Sequence, residues 1–209
     1  MVSEAVSQQP EAANRRADKL LHKMWRTKSC QFNARVRLER RHWLSVLATS
    51  VLSCYLAAGS IYQLAYGDSV LPANARLLTV TNLVVSIFLI MITLYEAARN
   101  YLGAAEKMHA SALDIAGLYN KLQSLPRDQV EKQRCKFADE YSATLKRHNV
   151  IHSDLDYAWF KITNAGDLDL SWPYRLWLLF QIIGLGVVEY WLYATLIVVP
   201  PLAFFWFLQ

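Results

Sequence analysis

The sequence predicts an all-α membrane protein. It has two transmembrane helices, a cytoplasmic helical hairpin, and a C-terminal hydrophobic segment that is either a third transmembrane helix or a re-entrant one. Three observations carry this expectation. Apolar residues collect in three blocks almost free of charge. Basic residues crowd in front of the first block. Between the second and third blocks, apolar residues recur at helical spacing.

The blocks set the architecture. Residues 43–66 hold no Asp, Glu, Lys or Arg; residues 77–98 hold one charge, Glu96; residues 176–208 hold one, Glu189. A helix needs about 20 apolar residues to cross about 30 Å of hydrocarbon, so each of the first two blocks fits one crossing. A soluble core helix of that length would show a charged face, and the rest of the chain is too small to wrap two such helices. A cleaved signal peptide does not fit, because 42 residues precede the first block and its apolar run is too long. The third block exceeds one perpendicular crossing and contains Pro200 and Pro201, which break a regular helix. The favoured reading is a single span over 176–199 with the last ten residues at the far interface; the alternative is a hairpin folded back near the prolines. Glu189 then sits near mid-span.

Orientation follows from charge. Residues 1–42 hold ten of the 22 basic residues, and the loop at 67–76 holds one. Lys and Arg accumulate on the cytoplasmic side of spans, so the N-terminus is expected in the cytoplasm and the protein in the inner (plasma) membrane as a multi-pass chain. Residues 15–42 carry a net +8, while the whole chain carries +5. Such local basicity points to anionic lipid headgroups, with Arg35, Arg37, Arg40 and Arg41 as the contacts, rather than to nucleic acid. Cys30, Cys54 and Cys135 have no CxxC spacing and are expected as free thiols.

Along the chain, residues 1–13 are polar and aperiodic and read as a disordered tail. Residues 14–42 form a basic amphipathic helix with Leu20, Leu21, Met24, Trp25 and Phe32 on one side, suited to a membrane surface or a partner helix. The transmembrane hairpin occupies 43–99. Nothing stops the second span, so it is expected to continue as a helix for about 25 residues into the cytoplasmic region 100–175. "SLPRD" is a turn, and a second helix with Phe137, Tyr141 and Leu145 pairs back on the first. Ser153 and Asp156 resemble a capping box opening a short helix. The hydrophobic segment 176–209 closes the chain.

Several side-chain groups carry chemistry. Thr79, Asn82, Ser86, Thr93 and Glu96 fall on one face of the second span. A polar stripe avoids lipid, so it either lines a water path in an oligomer or packs on another helix. Ser45, Thr49, Ser50, Ser53, Ser60 and Gln63 keep to one arc of the first span, where packing is the better account. Glu189 is an intramembrane charge with Tyr190 and Tyr193 beside it, suited to a structural or gating role. His148, His152, Asp154 and Asp156 are weak metal candidates whose spacing fits no strong zinc pattern, so no metal or cofactor is expected. No GxSxG, HExxH, P-loop or Rossmann pattern occurs, which argues against an enzyme.

The basic helix "KMWRTKSCQFNARVRLERRHWLS", two spans with a short loop, a long following helix, and then "LKRHNVIHSDLDYAWF" resemble the SLATT family over residues 15–165. These are SMODS- and SLOG-associating two-transmembrane effectors of prokaryotes. The resemblance implies a membrane-disrupting or pore-forming effector in an anti-phage conflict system. Its partners would come from neighbouring genes encoding nucleotide-signal synthetases, nucleotide sensors or reverse transcriptases. It brings no catalytic residues. The preferred expectation is a homo-oligomeric effector that forms or gates a pore depolarising the membrane. The alternatives are a non-conducting anchor that localises a partner enzyme, and an intramembrane enzyme using Glu189.

Overall fold

The computed structural model describes the backbone of residues 2–66 and 72–208, and the side chains of 15–65, 76–77, 79–126, 129–200 and 202. Every described element is an α-helix: α1 (Val2–Tyr66), α2 (Pro72–Arg99), α3 (Tyr101–Gln123), α4 (Arg127–His148), α5 (Asp154–Thr163) and α6 (Trp172–Leu208). The tail reading of residues 1–13 and most of the loop at 67–76 fall outside the residues whose side chains are described. Three helices are long and apolar enough to cross a membrane. The chain divides into a helical unit, Met1–Leu38 with Gly103–Gly184, and a span unit, Glu39–Leu102 with Leu185–Gln209.

The helical unit is built from three amphipathic stripes. Ala17 and Met24 of α1, Ile115 and Leu122 of α3, and Val130, Phe137 and Tyr141 of α4 form one core, with Leu20, Leu21, Leu118 and Leu145 packed on it. The apolar face of α1 therefore finds its partner helices within its own chain, and the expected two-helix hairpin is a three-helix arrangement. Tyr141 Oη lies 2.9 Å from Thr27 Oγ1, which itself donates to the Lys23 carbonyl. Lys28 stands over the Tyr119 ring at 3.9 Å, and its burial lowers its pKa.

Asp156 ties α5 to α1. Ser153 and Asp156 form the anticipated capping box: the Ser153 hydroxyl accepts from the Asp156 amide, and the Asp156 carboxylate accepts from the Ser153 amide. Aspartate is one methylene shorter than the usual glutamate at that position, yet it closes the box and still faces α1. Arg37 grips the same carboxylate as a fork, Nε to Oδ1 at 2.9 Å and Nη2 to Oδ2 at 3.1 Å. Asn33 Nδ2 donates to the Asp156 carbonyl. The Asp156 side chain is buried, so taking these donors away would be costly. Beside it, Trp25 meets Phe160 edge-on at 4.8 Å. A second small core joins Leu155 and Ala158 of α5 to Leu178 and Ile182 of α6.

In the span unit, Ala48 and Leu52 of α1, Ile92 of α2, and Tyr193 and Leu196 of α6 share one core, flanked by Leu44, Val85 and Leu89. Most other apolar residues of this unit face outward, among them Ile61, Leu64, Leu83, Ile87, Met91 and Val198. An exterior this apolar has lipid, not water, as its solvent.

Two expectations need correction. The second span does not continue as one unbroken helix. Asn100 adopts a left-handed conformation, φ 43°, and separates α2 from α3. Asparagine tolerates this region better than other side-chain-bearing residues. Nor do Pro200 and Pro201 break the third block, because α6 continues to Leu208. Each proline removes one amide donor, and membrane helices tolerate that loss better than helices in water.

Replacing Asp156 by Ala removes the carboxylate that Arg37 grips and the cap of α5, and should destabilise the helical unit by about 3–5 kcal/mol. Denaturant unfolding in detergent, followed by circular dichroism, checks this. Cys30 is fully buried, and burial, reinforced by the Asp156 charge and opposed by Arg26, pushes its thiol up to about 11. The folded chain should therefore leave Cys30 unmodified by maleimide at neutral pH while exposed Cys135 reacts. Because the folded pKa lies above the ordinary 9.0, the neutral thiol favours folding below that pH. The contribution is lost as pH rises through about 11. Stability of the wild type against Cys30→Ala across that window measures it.

Candidate functional site

At one end of the span unit, the three long apolar helices and the first residue of α3 bring together a set of polar groups. Arg41 lies on α1 two residues before the uncharged block begins. Glu96 lies on the last turn of α2 and Tyr101 at the first residue of α3. Glu189 and Tyr193 are four residues apart on α6, and so share one face of that helix. The left-handed turn at Asn100 sits between Glu96 and Tyr101.

The groups form a chain of contacts. Arg41 Nη1 donates to Glu189 Oε1 at 3.2 Å, and Arg41 Nε donates to Tyr193 Oη at 3.3 Å. Tyr193 Oη in turn donates to Glu96 Oε2 at 2.8 Å. The guanidinium also lies over the Tyr101 ring, 4.7 Å from its centroid. One cation thus holds Glu189 directly and Glu96 through a tyrosine hydroxyl. The Arg41 and Glu189 side chains are mostly buried, and Glu96 and Tyr193 are buried too. The other Glu96 oxygen, Oε1, is buried with no hydrogen-bond partner among the described residues. A carboxylate oxygen left so costs about 1–3 kcal/mol or more. This clasp therefore binds the three helices through charge while keeping one acceptor unsatisfied.

Most of the remaining stripe turns toward its own chain. Gln63 Nε2 donates to Thr79 Oγ1. A side chain at Gly59 would meet Asn82 Oδ1 at 3.3 Å, so the amide of Asn82 rests against the bare backbone of α1. Ser86 donates to the Asn82 carbonyl and Thr93 to the Leu89 carbonyl. On α1, Thr49, Ser53 and Ser60 likewise donate to carbonyls four residues back. Such back-bonding satisfies hydroxyls inside an apolar helix. Of the five stripe residues, only Glu96 joins the clasp.

The four arginines separate in role. Arg37 holds Asp156, Arg41 holds Glu189, and Arg35 Nη1 approaches the His109 ring at 3.2 Å, while Arg40 is exposed. The metal candidates are not brought together. His148 Nε2 pairs with Asp114 at 2.8 Å and Asp156 is engaged by Arg37. Among the described residues, no group of three or more His, Cys, Asp or Glu is placed to hold a metal.

The chain matches the family model described as SMODS and SLOG-associating 2TM effector domain family 5 over residues 13–207. The chain belongs to this family. No curated protein and no solved structure matches it. The SLATT match extends past residue 165 and takes in the third apolar block, so α6 is part of the family domain rather than an addition to it. The family description assigns an effector role in a 2TM membrane domain associated with SMODS and SLOG systems.

The clasp of this SLATT protein was half visible beforehand. Glu96, Glu189 and the nearby Tyr193 stand out as polar groups in apolar blocks. Arg41 does not, because it is one of several arginines in a row. The usable signal is that Arg41 is the last Lys or Arg before a 24-residue uncharged run, and hence the cation nearest the membrane.

Replacing Arg41 by Leu leaves two buried carboxylates without their cation and should destabilise the protein by about 3–5 kcal/mol. Adding Glu189→Leu should recover much of that loss. Thermal unfolding of both variants in lipid nanodiscs checks the direction, and a double variant less stable than Arg41→Leu alone would contradict the pairing.

Proposed function

We propose that this SLATT protein is a homo-oligomeric effector of the inner membrane. Its N-terminus lies in the cytoplasm, and it opens a depolarising pathway when its helical unit receives a trigger. The observation that carries this reading is the clasp of Arg41, Glu189, Tyr193 and Glu96, which joins all three long apolar helices through a handful of charged contacts. Packed apolar helices slide with little directional preference in lipid, where no hydrophobic force holds them together. A buried ion pair has one good geometry and a large cost for leaving it. Removing a partner costs about 3–5 kcal/mol, enough to move an equilibrium between two packings by more than about a hundredfold. Asn100, with its left-handed backbone, lies four residues after Glu96, on the stretch of chain that links α2 to α3. The excess of basic residues before α1's uncharged run supports the orientation.

The second reading is a non-conducting anchor for a partner enzyme from a neighbouring defence gene. It is favoured by the contacts of Thr79 and Asn82, which face α1 rather than an open path.

Vesicles carrying the purified protein and a potassium gradient separate the two. The gated-pathway reading expects Glu189→Gln and Arg41→Leu to release potassium without a trigger and the wild type to stay tight. Inserted, oligomeric variants that all stay tight would select the anchor. In cells, a membrane-potential dye should report depolarisation on expression of Glu189→Gln and not of Asn82→Leu.

A further inference from the structure

The cations of the helical unit are held in different ways. Arg37 meets Asp156, Arg134 meets Glu131, Lys136 meets Glu140, and Arg175 donates to the carbonyls of Leu170 and Ala165. Others stand over tyrosine rings, where a cation meets the negative face of the π system. Lys23 does so over Tyr141 and Lys28 over Tyr119, one cation to each ring. Tyr157 differs, because its ring has two. The guanidinium of Arg26 on α1 is 5.7 Å from the Tyr157 centroid, and Nζ of Lys161 on α5 is 4.3 Å from it. Both distances run to one point, so the two charges are no more than about 10 Å apart, within one Debye length at 0.1 M salt. No carboxylate among the described residues pairs with either cation. Asp156, next to Tyr157 in sequence, is taken by Arg37 and by the cap of α5.

Neighbouring rings hold this pair in position. Tyr157 stacks on Phe160, which is buried, and Trp25 meets Phe160 edge-on. Lys161 Nζ donates to Tyr174 Oη at 3.0 Å, and the Tyr174 ring stacks on Trp177. Arg26, Lys161 and Tyr174 thus come from α1, α5 and the opening turn of α6, all within the helical unit. Each is half-buried, so its polar end is still reached from solvent. Donors are left over. Lys161 uses one of three N–H groups on Tyr174, whose own hydroxyl proton has no acceptor among the described residues. Arg26 has five N–H groups, none bonded among the described residues. Two cations held close together attract an anion, and holding them in advance lowers the entropy lost on binding it.

We propose that Arg26, Lys161 and Tyr174 form a binding site for a phosphate group. Arginine offers phosphate a fork of parallel donors, and lysine a compact point charge. A group with several anionic oxygens can accept from both cations and from the phenol together. Its source is a soluble phosphoryl compound or a lipid headgroup. The proposal concerns binding and not permeation, so it stands or falls apart from the gated-pathway reading.

Two probes on the purified full chain test it and separate the sources. Pyrophosphate is titrated by calorimetry into the protein in phosphatidylcholine nanodiscs, with chloride holding the ionic strength constant. For a soluble source the wild type binds, and Arg26→Gln and Lys161→Gln each weaken binding about tenfold or more, since each removes a charged donor. Lys23→Gln removes an equal charge from a ring with one cation and should bind as the wild type does. Phosphatidylglycerol in place of phosphatidylcholine is the second probe. For a lipid source the unfolding midpoint of the wild type rises, Arg26→Gln and Lys161→Gln lose most of that rise, and Lys23→Gln keeps it. Either pattern supports the site. Lys161→Glu guards against a folding defect, because it sets a carboxylate near Arg26 in place of the second cation. It should unfold no lower than the wild type and yet respond to neither probe. Three results would overturn the proposal: a wild type that responds to neither probe; responses that Arg26→Gln and Lys161→Gln retain; or an equal loss in Lys23→Gln, which would mean attraction to diffuse charge.

Discussion

A single guanidinium governs the span unit. Arg41 stands where α1 passes from a strongly basic run into an uncharged one, and at that depth a cation needs an anion within hydrogen-bond reach. Glu189 supplies it directly, and Tyr193 extends the reach to Glu96. Without Arg41, the Glu189 carboxylate of α6 would lose its cation in an apolar helix, a costly change in lipid. The three long helices are thus held in a common register by a contact whose geometry is specific, in an environment where packing alone specifies little. Gly59 plays a complementary part by letting Asn82 approach the α1 backbone.

The helical unit repeats the device with different chemistry. Arg37 and Asp156 are paired in a buried site, but there the carboxylate also closes a capping box at the start of α5. A single side chain therefore begins a helix and docks it. Arg37 and Arg41 lie one helical turn apart on α1 and serve the two units in turn. Within the basic run before the first apolar block, Arg35, Arg37 and Arg41 each meet a different side chain, while Arg40 is exposed.

The SLATT domain in this chain includes its third apolar helix, since the family match runs to residue 207. Glu189 and Tyr193 belong to that helix. A description limited to the first two crossings would leave Arg41 and Glu96 without the residues that connect them.

How much of this was legible depends on the range of the interaction. Helix type, the two long apolar blocks, the turn at "SLPRD" and the Ser153–Asp156 cap were readable, because hydrophobic period, composition and capping are properties of neighbouring residues. The break at Asn100 was not, since nothing in "EAARNYLG" forbids a helix and a single left-handed residue costs little in asparagine. The passage of α6 through two prolines was misread because the rule against internal proline comes from helices in water. By itself the sequence determined that this chain is helical, that it has helices long and apolar enough to cross a membrane, and that its excess positive charge is concentrated before the first apolar block. Only the tertiary structure decided which arginine meets which carboxylate, because pairs separated by 119 and 148 positions are chosen by the packing of helices and leave no local trace.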